Sequence, residues 1–364
     1  MHLDELGWDQ HFQDQLDALG LENIIPGRVF RTSPAGHGQC EVYTEDGELT
    51  ARVSGRMRKQ ISSVVELPAV GDWVLIKSLD IGNMIFKVLT RKNQLSRQAV
   101  GREVKEQLVA ANIDIMFLVM GLDSDFSLRR LERFIFMVTA SEAIPVVILN
   151  KMDLLANRDE KKLLVRQVVE VVGNDIEVHT ISALNKSGIN VIRKYLKKGV
   201  TIALVGSSGV GKSTIINALV GEEKLKTAKV RKKDGKGRHI TKSRELIMIP
   251  GGGMMIDNPG IRELQLWGEP EALGSVFKDI EQLSKKCKFK NCSHLHEPEP
   301  QCAVLSALKS GDLSRERYDN YQKMKKELAH LEQKLSMSAE ALERAKWKGL
   351  MKNAKYYSKY KKMQ

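Results

Sequence analysis

Residues 201–214 read Thr201-Ile-Ala-Leu-Val-Gly-Ser-Ser-Gly-Val-Gly-Lys-Ser-Thr214, a short apolar strand that leads directly into a glycine-rich loop. The loop has the pattern Gly206-x-x-x-x-Gly211-Lys212-Ser213 of a phosphate-binding loop. Its glycines let backbone N–H groups point at an anion, Lys212 reaches the β- and γ-phosphates, and the Ser213 hydroxyl binds Mg²⁺. A helix predicted over 213–220 offers its N-terminus to the same phosphates. We therefore predict that this loop holds a nucleotide through Gly206, Ser207, Ser208, Gly209, Val210, Gly211, Lys212, Ser213 and Thr214.

The composition is that of a globular protein with an excess of basic residues. The 364 residues are 42% hydrophobic, enough for two or three domains, and carry a net charge of +13. That charge favours a polyanionic partner, such as nucleic acid or a ribonucleoprotein, over a membrane; a merely solubilising surface is the alternative. No apolar run approaches the ~20 residues of a membrane span, and the first residues do not resemble a signal peptide. We expect a cytoplasmic protein without membrane contact.

The pattern of apolar residues changes along the chain. Residues 1–24 predict an amphipathic helix. Five short β-rich runs between about 26 and 95 fit a small closed barrel of the oligonucleotide-binding (OB) type, although another small barrel or sandwich without a nucleic-acid role fits too. From about residue 112, apolar strands alternate with helices and predict a mostly parallel sheet buried on both faces. Apolar runs on either side of Pro250-Gly-Gly-Gly253 predict a hairpin.

Two further stretches indicate which base the nucleotide carries. Asn150-Lys151-Met152-Asp153 follows the predicted strand Pro145-Val-Val-Ile-Leu149, at the strand end where parallel sheets bind ligands. The Asp153 carboxylate can accept hydrogen bonds from guanine N1–H and N2–H₂, the Lys151 stem can pack on the ring, and Asn150 can tie this loop to the phosphate loop. Ser182 and Ala183, after the next strand, offer a backbone N–H to guanine O6. Together these residues predict guanine specificity.

The Mg²⁺ ligands are predicted on the other side of the phosphate loop. Thr241 is a candidate second ligand beside Ser213, Asp257 can hold Mg²⁺ through water, and the Gly260 N–H can sense the γ-phosphate. Along the chain the base-reading residues come first and the phosphate-binding residues last, the reverse of ordinary GTPases. The domain therefore looks circularly permuted, which leaves the folded site intact if the original termini were close together.

Three of the four cysteines are clustered near the C-terminal end. Cys287-x₄-Cys292-x-His294 and Cys302 provide three thiolates and an imidazole, the ligand set of a closed, structural zinc site. His296 is a competing ligand. A chance cluster of reduced thiols is the alternative.

The barrel, the permuted motifs and the cysteine/histidine cluster resemble one family, the circularly permuted, ribosome-small-subunit-dependent GTPases (RsgA/YjeQ type). The resemblance covers roughly residues 24–335. It implies a GTPase that hydrolyses GTP to GDP and phosphate, is stimulated by the small (30S) ribosomal subunit with its 16S rRNA, and assists late maturation of that subunit. In this chain the spacing between His294 and Cys302 is two residues longer than in the family, and Asn258 stands where the family has Thr or Ser.

Hydrolysis needs a group that orients the attacking water, often a glutamine. Here Ile261 follows the Asp257-Asn-Pro-Gly260 stretch, and an aliphatic side chain cannot orient water. His239, two residues before Thr241, is the candidate that the resemblance supports, with Lys212 and Thr241 completing the catalytic set. A loop histidine without a role is the alternative.

Two basic segments are candidates for RNA contact. Residues 224–244 hold ten Lys or Arg against one acid and form the expected switch loop, which a polyanion could order; a solvated surface segment is the alternative. Residues 341–364 hold eight Lys or Arg against one Glu, interleaved with aromatic side chains. A disordered solubilising tail has the same composition.

These observations predict a monomeric, multidomain α/β protein. Its parts are an N-terminal helical extension (1–24), an OB-type barrel (25–97), a circularly permuted P-loop GTPase domain (98–268), a zinc-binding helical domain (269–340) and a basic tail (341–364). Two other functions are open at this point: a nucleotide-controlled RNA-binding switch with negligible hydrolysis, and a nucleotide kinase. The sequence has no motif for the second substrate pocket that a kinase needs.

Overall fold

The computed structural model describes residues 1–33, 38–99, 105–221, 244–257, 266–268, 272–298 and 300–360, with only the backbone described for 338–360. The chain divides into two compact units, residues 1–97 with 106–265 and residues 98–105 with 266–364. Within the described ranges, no helix has both the length and the apolar composition that a membrane crossing requires.

The first unit begins with two short helical segments rather than the single helix predicted over 1–24. A 3₁₀ helix spans Leu3–Leu6 and helix α1 spans Gln10–Asp17. They are separate because Asp9 caps α1, its side chain accepting a hydrogen bond from the His11 N–H. The prediction that this segment is amphipathic and packs on the core is confirmed, since Trp8 makes an edge-to-face contact with the buried Trp73 at 4.7 Å between ring centroids.

Five strands then form the predicted closed barrel. They pair in the order β1-β2-β3-β5-β4, and β4 pairs again with β1, so the sheet closes on itself. The strands are β1 (Ile25–Thr32), β2 (Gln39–Thr44), β3 (Gly47–Val53), β4 (Trp73–Leu79) and β5 (Gly82–Val88). Helix α2 (Gly55–Gln60) and a 3₁₀ helix (Val64–Glu66) connect β3 to β4. Alternate side chains point inward and form the barrel core, which contains Val29, Cys40, Val42, Ala51, Val74, Ile76 and Ile85.

A two-stranded sheet that the sequence analysis missed follows the barrel. It consists of β6 (Gln94–Gln98) and β7 (Glu106–Ala111). The β6 sequence, Gln-Leu-Ser-Arg-Gln, contains no β-branched or aromatic residue, so it carries little strand signal.

The nucleotide-binding part is a mostly parallel sheet with helices, as predicted. Its strands are ordered β10-β9-β8-β11-β13-β12, and only β12 is antiparallel to its neighbour β13, in the predicted hairpin. The strands are β8 (Ile115–Gly121), β9 (Ile144–Asn150), β10 (Glu177–Thr180), β11 (Thr201–Val205), β12 (Glu245–Met248) and β13 (Met254–Asp257). The helices are α3 (Leu128–Thr139), α4 (Arg158–Val172), α5 (Ile189–Arg193) and α6 (Lys212–Val220), with a 3₁₀ helix at Met152–Leu154.

The barrel and the parallel sheet are joined into one eleven-stranded sheet. Strand β12 pairs with β1 where Glu245 faces Arg31, and the Arg31 guanidinium bridges Glu245 (2.8 Å) and Glu41 (2.6 Å). Arg28 is fully buried beside this junction and donates to the carbonyl oxygens of Leu6, Gly71 and Asn112 and to Thr201 Oγ1, at 2.6–3.0 Å. Burial lowers the pKa of Arg28 to about 10. Its partners are neutral groups of the N-terminal segment, the barrel and the parallel sheet, so this one side chain connects all three.

The second unit is helical. It contains α7 (Ala272–Val276), α8 (Lys278–Ser284), α9 (Ala303–Ser310) and α10 (Arg315–Tyr360). Its core includes Phe277, which makes an edge-to-face contact with Tyr321 of α10 at 5.4 Å between ring centroids. Position 341, where the sequence analysis begins a basic tail, lies inside α10.

Candidate nucleotide site and metal centre

The phosphate-binding loop connects β11 to α6 at the carboxyl edge of the sheet. Both of its motif glycines are needed, because neighbouring atoms lie too close to leave room for a side chain. A Cβ on Gly206 would lie 2.4 Å from the Val119 carbonyl oxygen of the neighbouring strand β8. A Cβ on Gly211, whose φ is +101°, would lie 2.3 Å from the side-chain nitrogen of Asn150. The loop is therefore packed against both β8 and the base-reading loop.

The two polar side chains at the start of α6 have protein partners. Lys212 Nζ donates to the carbonyl oxygens of Gly206 (2.8 Å) and Ser207 (2.7 Å). Ser213 Oγ donates to Asp257 Oδ2 at 3.1 Å, which joins two of the predicted Mg²⁺ ligands across the β11–β13 strand pair. Hydroxyl and carboxylate oxygens are the ligands that Mg²⁺ prefers.

The electrostatics of this region are dominated by burial. Burial lowers the pKa of Lys212 to about 8, although the nearby Asp257 and Asp125 carboxylates act in the opposite direction. Burial also raises the pKa of Asp257, against the effects of Lys212 and the Ser213 hydroxyl. The ammonium has lost its hydration, and among the described residues it has two carbonyl oxygens as hydrogen-bond partners in exchange, so an anion at this position would stabilise it.

Asn150 connects the predicted base-reading residues to the phosphate loop. Its side-chain N–H donates to the Val210 carbonyl oxygen at 2.8 Å, and its Oδ1 accepts from the Ala183 N–H at 2.9 Å. On the following turn, Asp153 is exposed and accepts a hydrogen bond from the Ser182 hydroxyl. The loops after β9, β10 and β11 are thus brought to one place, as the permuted motif order requires.

The remaining nucleotide-site predictions fall into two groups. Within the phosphate loop, Val210 is buried and Ser207 and Thr214 are half-buried, whereas Ser208 and Gly209 are exposed at its tip. His239, Thr241 and Gly260 lie outside the described residues.

Two aspartates contact the site residues and were missed by the sequence analysis. Asp123 Oδ2 accepts from Lys151 Nζ at 2.7 Å, and Asp125 accepts from the Ser207 hydroxyl. Both lie in the loop that follows β8, between the strands that carry the two recognised motifs. Their position at the carboxyl end of a predicted parallel strand is a signal that could have found them.

The four predicted metal ligands are brought together in the second unit. The ligand atoms of Cys287, Cys292, His294 and Cys302 all lie within 4.8 Å of one another. Cys302 Sγ is 3.5 Å from His294 Nδ1, and the Sγ atoms of Cys287 and Cys302 are 3.9 Å apart. Sulfur atoms about 2.3 Å from a tetrahedral zinc ion would be separated by roughly 3.8 Å, so the cluster fits such an ion. It is His294, and not the exposed His296, that completes this set.

The loop that presents His294 is held by a carboxylate that the sequence analysis did not single out. Glu297 accepts from the Ser293 N–H (2.6 Å) and hydroxyl (2.8 Å), and from the N–H groups of Leu295 (3.0 Å) and His296 (3.3 Å). The hydrogen bonds from Ser293 are the main reason that the pKa of Glu297 falls to about 2. From the other side, the Tyr318 hydroxyl of α10 donates to the His294 carbonyl oxygen.

Comparison with known proteins identifies the family. The RsgA GTPase family matches residues 88–267, and a family described as 50S ribosome-binding GTPase matches residues 201–335. The small ribosomal subunit biogenesis GTPase RsgA of Opitutus terrae is 40% identical over 359 residues, covering 96% of this chain and 95% of that protein. Its namesake from Methanosarcina acetivorans is 42% identical over 357 residues, covering 97% and 93%.

Solved structures agree with these sequence relatives. The crystal structure of YjeQ from Thermotoga maritima is similar with a TM-score of 0.60 at 29% identity, covering 84% of this chain and 99% of that one. YloQ, described as a circularly permuted GTPase, is similar with a TM-score of 0.57 at 26% identity, covering 85% and 96%. The permuted order of the motifs is therefore a family property, and the chain is a P-loop enzyme that hydrolyses GTP. It belongs to the RsgA family of circularly permuted GTPases.

Proposed function

We propose that the carboxyl edge of the parallel sheet is the GTP site of this enzyme. The observation that carries the proposal is the bridge made by Asn150, which connects Val210 of the phosphate loop to Ala183 of the base-reading loops. A single bound nucleotide can therefore reach both sets of residues. Asp153, which already accepts from the Ser182 hydroxyl, would also accept from guanine N1–H and N2–H₂, and adenine offers no such pair of donors.

The phosphate-binding residues have defined roles in this proposal. Lys212 would exchange its two carbonyl partners for β- and γ-phosphate oxygens, which compensate its buried charge far better. Ser213, Asp257 and Thr241 would hold Mg²⁺, which supplies positive charge beside the phosphates during transfer. The backbone N–H groups of the loop and of Gly260 complete the cradle.

His239 is proposed to orient the attacking water. The support comes from the sequence, because Ile261 occupies the position after Asp257-Asn-Pro-Gly260 and has no polar atom to offer a water molecule. Replacement of His239 by alanine should lower the stimulated kcat on the order of 100-fold and leave GDP affinity nearly unchanged. Undiminished turnover of His239→Ala would reject this role.

The proposed partner is the small ribosomal subunit, whose late maturation the enzyme would assist. The names of the relatives state small ribosomal subunit biogenesis, and the net charge of +13 suits contact with 16S rRNA. The basic residues of 224–244 would make that contact and would complete the catalytic site, so hydrolysis would be fast only on the ribosomal subunit. The enzyme would act as a monomer.

The proposed metal is one structural zinc ion per chain. Three thiolates and one imidazole, with no open coordination position, are the ligands of closed zinc sites.

Turnover of GTP with purified ribosomal subunits tests the function. We expect stimulation by small subunits, and little by large subunits, the partner named by the second matching family. ATP should be neither bound nor hydrolysed at comparable concentration. Equal stimulation by both subunits would reject the proposed partner, and preferred binding of ATP would reject the guanine site.

A further inference from the structure

The loop formed by residues 122–127 lies between the two parts of the nucleotide site. It follows β8, which is flanked in the sheet by β9, the strand of the base-reading loop, and by β11, the strand of the phosphate loop. Its two aspartates contact opposite neighbours: Asp123 pairs with Lys151 and Asp125 with Ser207. No nucleotide-binding role was predicted for either residue.

Hydrogen bonds with the backbone of its own loop hold Asp123 in an orientation that leaves one carboxylate oxygen for Lys151. Its Oδ1 accepts from the Asp125 N–H at 3.1 Å, and its carbonyl oxygen accepts from the Phe126 N–H at 2.9 Å. The preceding Gly121 makes room for the carboxylate, because a Cβ at that position would lie 2.4 Å from Asp123 Oδ1. The Oδ2 atom is therefore directed at Lys151 Nζ, 2.7 Å away.

The rest of the loop is fixed on both sides. The Leu122 N–H donates to the Asn150 carbonyl oxygen at 2.8 Å, which ties the loop to β9. On the other side, Asp125 pairs with Arg130 as well as with Ser207, and Ser127 caps α3 by accepting from the Arg130 N–H. Asp123 thus belongs to a rigid element, so a side chain bound to it is held in a defined place.

That side chain is Lys151, whose stem would pack on the purine ring. A free lysine samples many rotamers, and ordering one costs conformational entropy. Here the side chains of Lys151 and Asp123 are only 23% and 24% exposed, and their ion pair fixes the lysine before nucleotide binds. We propose that Asp123 is a positioning residue for purine binding, which acts through Lys151 and does not touch the nucleotide. This inference rests on the guanine site proposed above.

A double-mutant cycle measured by GDP binding tests the inference. Asp123→Ala should weaken GDP binding about tenfold in the native background, as expected for a hydrogen bond between charged groups, and should have no further effect in a Lys151→Met background. In steady-state hydrolysis KM for GTP should rise while kcat stays unchanged. An equal loss in both backgrounds, or no loss in either, would overturn the proposal, because Asp123 would then act on the fold or not at all.

Three further variants keep the test interpretable. Asp123→Asn retains an acceptor for the Asp125 N–H and removes the charge, so it should show most of the loss with an unchanged thermal midpoint; it carries the test if the alanine variant does not fold. Asp46→Asn, at the exposed turn between β2 and β3, is the matched control and should bind GDP like the native chain.

Asp153→Asn separates the hypothesis of the guanine site from that of the positioning role of Asp123. Unchanged GDP affinity of that variant refutes the guanine site, whereas loss there without loss in the Asp123 variants refutes only this inference.

Discussion

The nucleotide site and the metal centre are assembled in opposite ways. The nucleotide site takes its side chains from the carboxyl ends of five strands and from the loops that follow them, between Asp123 and Asp257, and the sheet brings them to one edge. The metal centre takes its ligands from the short stretch between Cys287 and Cys302, and local turns bring them together. In the first site the polar groups are partners of one another, as in the Ser213–Asp257 and Asn150–Ala183 hydrogen bonds. In the second, three thiols and an imidazole face each other.

Only the metal centre is expected to depend on its ligand for folding. A sheet held by strand pairing and by a continuous apolar core keeps the described loops after β8, β9, β10 and β11 in place whether or not nucleotide is bound. Four metal ligands gain little from one another without an ion, and the free energy of metal binding is then a part of the folding free energy.

Removal of the metal is expected to have the largest effect. Cys292→Ser, or treatment of the native chain with a strong chelator, should unfold the region around α8 and α9, because structural zinc contributes on the order of 10 kcal/mol to such small domains. GDP affinity should stay within about twofold, since the nucleotide site belongs to the other compact unit. Metal content, circular dichroism and GDP titration measure the outcome. Loss of GDP binding together with the metal would contradict the independence of the two sites.

The rate of alkylation should differ roughly 10³-fold between Cys40 and the three cysteines of the metal centre. Cys40 lies in the barrel core, where burial raises the pKa of its thiol to about 12, so at pH 8 very little of it is thiolate. After chelation has unfolded the region around α8 and α9, the three thiols of the metal centre are exposed to the reagent and should be alkylated much faster than Cys40. Alkylation of Cys40 should rise about tenfold per pH unit between pH 8 and 11, as long as the barrel stays folded. Mass spectrometry of the modified peptides gives each rate, and fast labelling of Cys40 at pH 8 would show that the barrel opens.

Loss of the base-reading carboxylate should weaken guanine binding about 100-fold. Asp153→Asn replaces an acceptor of two hydrogen bonds by a group that clashes electrostatically with guanine N1–H or N2–H₂. The same variant should gain affinity for xanthosine diphosphate, whose C2 carbonyl oxygen can accept from the asparagine amide. Titration with both nucleotides measures the exchange. A loss of affinity for both would indicate damage to the loop instead of a change in base recognition.

The smallest expected effect concerns the carboxylate beside the metal. Glu297→Gln should lower metal affinity on the order of tenfold, since groups that orient metal ligands have effects of that size. The pKa of Glu297 is lowered to about 2, so its ionised carboxylate stabilises the folded loop fully at a pH above the ordinary pKa of 4.5. This contribution to the free energy of unfolding is lost as the pH falls from 4.5 towards 2. Competition with a chromogenic chelator at pH 7 gives the affinity. A variant that binds metal like the native chain would show that the loop needs only the ion.

Much of the fold could be predicted because the relevant signals are local. The phosphate loop, the five barrel strands and the apolar strands from Ile115 to Asp257 follow from residue type and spacing over short windows. The extent of α10 could not be predicted, because charged residues at 341–364 have the composition of a disordered tail. Strand β6 was missed because Gln94-Leu-Ser-Arg-Gln98 has no β-branched side chain.

In the candidate site, too, only residues with a local sequence signal could be predicted. Asn150, Asp153 and Lys212 belong to short motifs whose residue types and spacing indicate their function. Asp123 and Asp125 belong to none, and their partners Lys151 and Ser207 are 28 and 82 residues away. Only the order of the strands, which places β8 between β9 and β11, brings these pairs together. Glu297 gives no sequence signal for another reason, because three of the four hydrogen bonds described for it come from backbone N–H groups, which every sequence has.

The pairing of β12 with β1 makes the barrel inseparable from the catalytic sheet. A truncated chain that begins after Leu89 would uncover the β12 edge and leave the Thr201 hydroxyl and the Asn112 carbonyl without the guanidinium that now joins them. An exposed edge of this kind is a template for pairing with other chains. Such a fragment should aggregate, so biochemical work on the isolated hydrolase region requires the first strand to stay attached.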